Sequence, residues 1–253
     1  MRAVSAFAAL VLLASACGST SPSLVIGAGT TIVDSGFADA LADRYETADI
    51  AVVGGSSREL LALLDAGAID VAITHHPEAE AEYLSEHPGV SSSVVFSSSF
   101  VFAADAAVAD EGLRSLSITE LLVRIAGDGL TFVARGDGSG TAAAEQRLWS
   151  AAGVNPGGEW YLETGQGMGF TLQVVDQLDG ITLAELGAVV ASVDRLDLVY
   201  WSPADLDNPY RATVGDDAPD AADEFVEWLG GDGGTAIEEL SEALLEGAIA
   251  ISR

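Results

Sequence analysis

Short apolar runs alternate with amphipathic stretches along almost the whole chain, and this alternation limits the possible folds more than any other feature. The first three apolar runs, at residues 24–26, 50–53 and 69–74, are each the length of a buried strand. Between them, apolar residues recur every three or four positions, as they do on one face of a helix. This βαβαβ order predicts a parallel sheet covered by helices.

The pattern starts again near Ser97 and ends in a C-terminal return segment after Asn208-Pro209-Tyr210. We therefore predict two α/β lobes of comparable size around a cleft. The first lobe is assigned to residues 24–96 and 207–253, and the second lobe to residues 97–206.

The N-terminus predicts a signal peptide over residues 1–17. Its apolar run, Ala3 to Ala16, would span about 21 Å as a helix, which is too short for a hydrocarbon layer of roughly 30 Å. The run ends at Cys17 in a sequence that resembles a bacterial lipobox, so Cys17 is the predicted lipidation site and residues 18–23 the tether. The alternative is a plain secretory signal. Both place the protein outside the cytoplasm, either lipid-anchored at the cell membrane or secreted into the periplasm.

Charge and cysteine content exclude several classes of protein. The chain has 39 acidic residues against 10 basic ones, all of them Arg, and a net charge of −29. Such a surface repels nucleic acids and anionic membranes. A hydrophobic content of 49% is enough for a full core. The single Cys permits neither a disulfide framework nor a thiolate metal cluster.

Three loops share one design, in which a predicted strand ends, glycine and hydroxyl residues follow, and a helix begins. They contain Thr30 and Thr31, Ser56 and Ser57, and residues 138–141. In an open parallel sheet such loops lie where ligands bind, and helix N-termini attract oxyanions. Each loop also has a purely structural explanation, since Ser56 with Glu59 fits a capping box and Thr141 could be an N-cap.

The third loop, RGDGSGT at residues 135–141, is the most specific of the three. Its guanidinium matches the edge of a tetrahedral oxyanion, and glycines allow the backbone close to a ligand. Asp137 is placed to fix the orientation of Arg135. The RGD tripeptide within it is three common residues, so we treat an adhesion motif as a chance match.

Together with Trp160-Tyr161-Leu162-Glu163-Thr164-Gly165-Gln166-Gly167-Met168-Gly169, this loop resembles the tungstate-specific substrate-binding proteins of ABC importers. The resemblance runs from about Gly29 to Leu229. It implies a type II periplasmic-binding-protein-like fold, in which mixed, mostly parallel five-stranded sheets are joined by a two-strand hinge. It also implies capture of a tetrahedral oxyanion and delivery to permease subunits at the membrane, with no cofactor and no resident metal.

The resemblance assigns oxyanion-binding roles to eight residues, namely Thr30, Thr31, Ser56, Ser57, Arg135, Ser139, Gly140 and Thr141. It leaves open whether Ser56 or Ser57 faces the ligand. Gln166, Gly167 and Met168 are expected to line the cleft. The alternative for that segment is a tight glycine turn with Met168 in the core.

Other functions remain as alternatives. A phosphate-binding protein has a similar R-x-D-x-S-G-T motif, but the proton of phosphate needs an acceptor, and no carboxylate lies at the tips of the first two loops. Molybdate has nearly the size and charge of tungstate. An extracellular sensor would use the same site. An enzyme or a metal site is not expected, because the histidines, His75, His76 and His87, lack a suitably spaced partner.

Overall fold

The computed structural model describes residues 23–251. Its strands are β1 Leu24–Gly29, β2 Ile50–Gly55, β3 Val71–Thr74, β4 Ser92–Asp105, β5 Phe132–Ala134, β6 Tyr161–Glu163, β7 Ile181–Glu185, β8 Leu198–Trp201, β9 Asp207–Val214 and β10 Ala250–Ile251. Its helices are α1 Thr30–Asp34, α2 Phe37–Arg44, α3 Ser57–Asp65, α4 Pro77–Glu86, α5 Glu111–Arg114, α6 Ile118–Asp128, α7 Gly140–Ala151, α8 Met168–Gln177, α9 Leu186–Val190, α10 Asp220–Leu229 and α11 Gly233–Leu245.

The first sheet has the strand order β2-β1-β3-β9-β4, with the short β10 paired to β4. β1 pairs in parallel with both β2 and β3, while β9 is antiparallel to β3 and β4. Every residue of β3 is buried, as expected for a short apolar strand in the middle of a covered sheet. Core side chains lie on both faces of this sheet, with α1, α2, α10 and α11 on one face and α3 and α4 on the other.

The second sheet joins the C-terminal part of β4 to β7 and β8 by antiparallel pairing, and β5 to β6 and β7 by parallel pairing. One of its faces packs against α5, α6 and α7, and the other against α8 and α9. We refer below to each sheet with its helices as the first and the second lobe.

The chain passes between the two sheets along two adjacent segments. In β4, residues as far as Ser99 pair with β9 in the first sheet, and from Phe100 onward the strand pairs with β7 in the second. The return crossing is at Leu206 and Asp207, where the Phe100 N–H donates to the Leu206 carbonyl at 2.8 Å. The two crossings form a two-strand hinge.

The predicted α/β class with mixed sheets and a two-strand hinge is confirmed. Strand pairing changes at Ser99–Phe100, three residues beyond the predicted limit of the first lobe, and the lobe boundaries themselves stay a prediction. The signal peptide, Cys17 and most of the tether lie outside the described residues. Within residues 23–251, no helix is both long and apolar enough to cross a membrane.

Candidate functional site

The loops that follow β1 and β5 meet between the two lobes. α1 begins at Thr30, directly after β1, and α7 begins at Gly140, a few residues after β5. Arg135 lies between β5 and α7, and its Nη2 donates to Thr30 Oγ1 at 3.2 Å. This hydrogen bond joins residues 105 positions apart in the sequence and connects the first lobe to the second.

Arg135 is held in a fixed orientation by Asp137. The Asp137 Oδ2 atom accepts from Arg135 Nε at 3.1 Å and from Nη2 at 2.5 Å. The other carboxylate oxygen accepts from the Ser139 N–H at 3.1 Å. The turn requires glycine at position 136, where φ is +62°. Asp137 therefore orients Arg135 as the sequence predicted, and the Arg135 side chain is 1% exposed.

Three buried polar atoms on these loops have no hydrogen-bond partner among the described residues: Thr31 Oγ1, Arg135 Nη1 and Thr141 Oγ1. Native proteins leave few buried polar atoms without a partner, because each costs on the order of 1–3 kcal/mol. One of the three is cationic and the other two are hydroxyls, so all three can donate. An anion between the loops would satisfy them together.

His75 packs between the two helix starts. A Cβ atom on Gly140 would lie 2.4 Å from the His75 carbonyl oxygen and 2.8 Å from its ring, so only glycine fits there. On the other side, the Cβ position of Gly29 is 3.7 Å from the same ring. The His75 N–H donates to Ser57 Oγ at 3.3 Å. The lobes thus touch through His75, and Ser57 lies directly beside it.

A buried polar network lies behind His75, and no sequence pattern predicted its contacts. The amide of Asn208 bridges His75 and Glu185: Asn208 Oδ1 is 3.0 Å from His75 Nδ1, and its Nδ2 donates to Glu185 Oε1 at 2.8 Å. Tyr210 donates to the same carboxylate oxygen at 2.7 Å and stacks on His75 at 4.7 Å. Burial, followed by the Glu185 charge, raises the pKa of Tyr210 well above its ordinary value, so Tyr210 stays a neutral donor; the charge of Arg135 acts in the opposite direction.

Two of the predicted site hydroxyls cap helices. Ser56 forms the predicted capping box at α3: its hydroxyl accepts from the Glu59 N–H at 3.4 Å, and its own N–H donates to Glu59 Oε2 at 2.9 Å. At α7 the N-cap is Ser139, whose hydroxyl accepts from the Ala142 N–H at 3.3 Å. The structural explanation of Thr141 as an N-cap is therefore wrong.

The segment at the start of α8 divides between the cleft and the core. Gly167 faces the first lobe, since a Cβ atom there would lie 3.7 Å from Asp34 Oδ2. Gln166 is exposed. The Met168 side chain is 1% exposed and packs in the second lobe with Leu172, so for this side chain the core alternative is the correct one.

The other two histidines have structural partners of their own. His76 caps α4 through Nδ1, and His87 contacts Asp216 at 2.8 Å and Asp65 at 3.3 Å on the first lobe. Among residues 23–251, no cluster of three or more His, Cys, Asp or Glu side chains could hold a metal ion.

Comparison with known proteins gives this geometry a family context. The PBP superfamily domain matches residues 15–229. An inferred ABC transporter anion-binding protein of Haloferax volcanii is 35% identical over 205 residues, which cover 76% of this chain and 59% of that protein. The chain therefore spans less than two thirds of this relative's length.

Tungstate-binding proteins are also among the relatives. The tungstate-binding protein TupA of Peptoclostridium acidaminophilum is 27% identical over 195 residues, covering 74% of this chain and 68% of that protein. The crystal structure of the tungstate ABC transporter from Geobacter sulfurreducens superposes with a TM-score of 0.76 at 28% identity, covering 85% of this chain and 96% of that one.

Proposed function

Because the chain belongs to the PBP superfamily, we propose that it captures a tetrahedral oxyanion, tungstate, between its two lobes and delivers it to the permease of an ABC importer. We assign anion binding to the first-lobe residues Thr30, Thr31 and Ser57 and to the second-lobe residues Arg135, Gly140 and Thr141, with Ser56 and Ser139 holding the helix starts. The relatives named for tungstate binding support this choice of anion.

The observation that carries the proposal is the set of unpartnered donors at Thr31, Arg135 and Thr141. They come from both lobes, so an anion that satisfies them also holds the lobes together. Tungstate and molybdate are fully deprotonated near pH 7 and need donors only. Closure of two lobes by hinge motion removes water from these donors and strengthens each hydrogen bond.

The protein is a binding component with no chemical step in this proposal. We place it on the extracytoplasmic face of the membrane, anchored through a lipid on Cys17 and docked to permease subunits during delivery. Replacing Cys17 with Ser should prevent lipid attachment and reduce the share of the protein in the membrane fraction, which immunoblotting would measure.

Isothermal titration of the protein with tungstate, molybdate, sulfate and phosphate tests the ligand. We expect tungstate and molybdate to bind with 1:1 stoichiometry and sulfate and phosphate to bind far more weakly. Tight binding of phosphate with no binding of tungstate would overturn the proposed ligand.

The site itself is tested by Arg135→Ala, with Arg124→Ala as the control. Arg124 is an exposed arginine of the same lobe that pairs with Asp128 on α6. Because a charged hydrogen bond contributes about 1.5–3 kcal/mol, Arg135→Ala should weaken tungstate binding by roughly 10- to 150-fold. Arg124→Ala should leave the affinity unchanged.

One observation favours phosphate as the second candidate. Glu185 is a buried carboxylate behind the site, and its Oε2 has no hydrogen-bond partner among the described residues. Such an oxygen is the acceptor that protonated phosphate needs. If phosphate is the ligand, Glu185→Gln should reduce the affinity for phosphate. The affinity for tungstate should stay unchanged or improve, because the substitution removes the negative charge of a buried carboxylate behind the site.

A further inference from the structure

An ion pair connects the lobes at the rim of the cleft, away from the predicted anion ligands. Arg147 Nη1 on α7 lies 3.0 Å from Glu78 Oε1 and 2.8 Å from Glu78 Oε2 on α4. The helix α4 belongs to the first lobe and α7 to the second. The start of α7 also carries Gly140 and Thr141, so the ion pair lies on an element of the binding site.

The surroundings of Glu78 keep it available for Arg147. Partial burial acts to raise the pKa of Glu78, but its own backbone N–H at the start of α4 and the charge of Arg147 outweigh this and lower it. His76 Nδ1 is 3.2 Å from Glu78 Oε2. Burial, and then the charge of Arg58, lower the pKa of His76, so at neutral pH this histidine is uncharged and Arg147 is the cation that Glu78 faces.

The pair joins parts of the molecule that hinge motion would separate. At the cleft, Arg135 contacts Thr30 and Gly167 faces Asp34, while Arg147 and Glu78 add a charged contact at a different point of the same interface. A chain with 10 basic residues against 39 acidic ones places one of its few cations here. An attraction between lobes acts on the closed state alone, because opening moves the two charges apart.

We propose that Arg147 and Glu78 are two further residues that determine how long the closed protein retains its anion. They act by stabilising closure and do not touch the ligand. The inference rests on the proposed function in so far as the retained ligand is an oxyanion in this cleft. It concerns the rate of release, since the pair breaks when the lobes part.

The test compares Arg147→Gln, Glu78→Gln and the double variant with the wild type. Titration gives Kd for tungstate, stopped-flow tryptophan fluorescence gives the association rate, and their product gives the dissociation rate. At low ionic strength each single substitution should accelerate release roughly two- to fivefold, the range for one partly exposed ion pair. The double variant should release no faster than either single variant. In 1 M salt the differences should vanish.

The chain offers a matched control. Arg44 and Glu239 form an ion pair of 2.9 Å within the first lobe, with side chains 47% and 59% exposed, against 44% and 53% for Arg147 and Glu78. Arg44→Gln and Glu239→Gln should leave the dissociation rate unchanged. Exchanging the charges, with Arg147→Glu and Glu78→Arg together, should restore slow release.

Two results separate this inference from the proposed function. A wild-type protein that binds none of the four anions overturns the proposed function. Small-angle scattering without ligand then still tests the pair, because Arg147→Gln should increase the radius of gyration at low salt relative to Arg44→Gln. If Arg147→Gln and Arg44→Gln release the anion at equal rates, the proposed role of the pair is overturned. If no anion binds, equal radii of gyration for these two variants overturn it.

Discussion

Gly140 is the residue at which adding a single methyl group should weaken ligand binding without preventing folding. A Cβ atom there would collide with the His75 carbonyl oxygen across the cleft. Gly140→Ala should therefore obstruct closure and weaken tungstate binding by at least tenfold in titration, while each lobe still folds. The melting temperature without ligand should change by a few degrees at most.

The control for this substitution is Gly127→Ala on α6, where a Cβ atom meets nothing within 4 Å. Alanine is favoured over glycine inside a helix by about 0.5–1 kcal/mol, so this variant should be slightly more stable and bind normally. Unchanged affinity in Gly140→Ala would show that the two lobes do not close as tightly as the structure has them.

Glu145 is a buried carboxyl that makes stability depend on pH. Its Oε1 accepts from Trp149 Nε1 at 3.0 Å and from the Tyr161 hydroxyl at 2.7 Å. Burial, which outweighs these two hydrogen bonds, raises the pKa of Glu145 from 4.5 to about 7. The folded protein therefore binds this proton more tightly than the unfolded chain does, and folding loses stability as the pH rises between these values.

The expected size follows from the shift in pKa. Relative to Glu145→Gln, the wild-type free energy of unfolding should fall by on the order of 3 kcal/mol between pH 4.5 and pH 8. Urea denaturation of both proteins across this range measures the difference. A difference between the two that stays constant with pH would contradict a raised pKa at Glu145.

At the scale of one helix, two adjacent serines at the N-terminus of α3 have different expected roles: Ser56 caps the helix, and Ser57 binds the ligand. Ser56→Ala removes the capping box and should cost about 1 kcal/mol of stability with a small effect on the ligand. Ser57→Ala removes the hydroxyl beside His75 and should weaken tungstate binding more than it weakens the fold. Thermal melts of both variants measure the loss of stability, and titrations measure the loss of tungstate affinity. If Ser56→Ala weakened binding more than Ser57→Ala did, the ligand contact would be assigned to Ser56.

Elements with a strong local signal were predictable from the sequence, and elements that depend on distant partners were not. The apolar run of β3 shows in any short window of sequence. The Ser-rich first half of β4 becomes a strand because β9 pairs with it, and the two-residue β10 is a strand only because it pairs with β4. In α4 the buried positions include Glu80, which accepts from Thr74, so no apolar stripe marks the helix.

The same division holds for the candidate site. The loop from Arg135 to Thr141 is a continuous string, and its internal contact to Asp137 spans two residues. The network behind it joins His75 to Asn208 across 133 positions. A lone buried Glu185 at the end of β7 has no sequence pattern that would distinguish it from a surface glutamate, and only the three-dimensional fold reveals its partners.

At the scale of the whole molecule, charge should govern the rate at which the anion arrives. The net charge is −29, and it becomes −30 if the predicted signal peptide, with its single Arg2, is removed. Added salt screens this repulsion and should raise the association rate of tungstate, because the Debye length falls from about 30 Å at 0.01 M to about 3 Å at 1 M. Stopped-flow measurements over this range test it, and a slower rate in salt would mean that the field at the cleft is positive.

The position of β9 between β3 and β4 sets the order in which the lobes can be completed. The second sheet is built from one continuous stretch that ends with β8, so it can assemble as soon as that stretch has left the ribosome or the export channel. The first sheet must wait for β9, and until then β3 and β4 have unpaired edges that other chains could pair with. The first lobe therefore exposes unpaired strand edges for longer than the second lobe does, although its first strands are synthesised earlier.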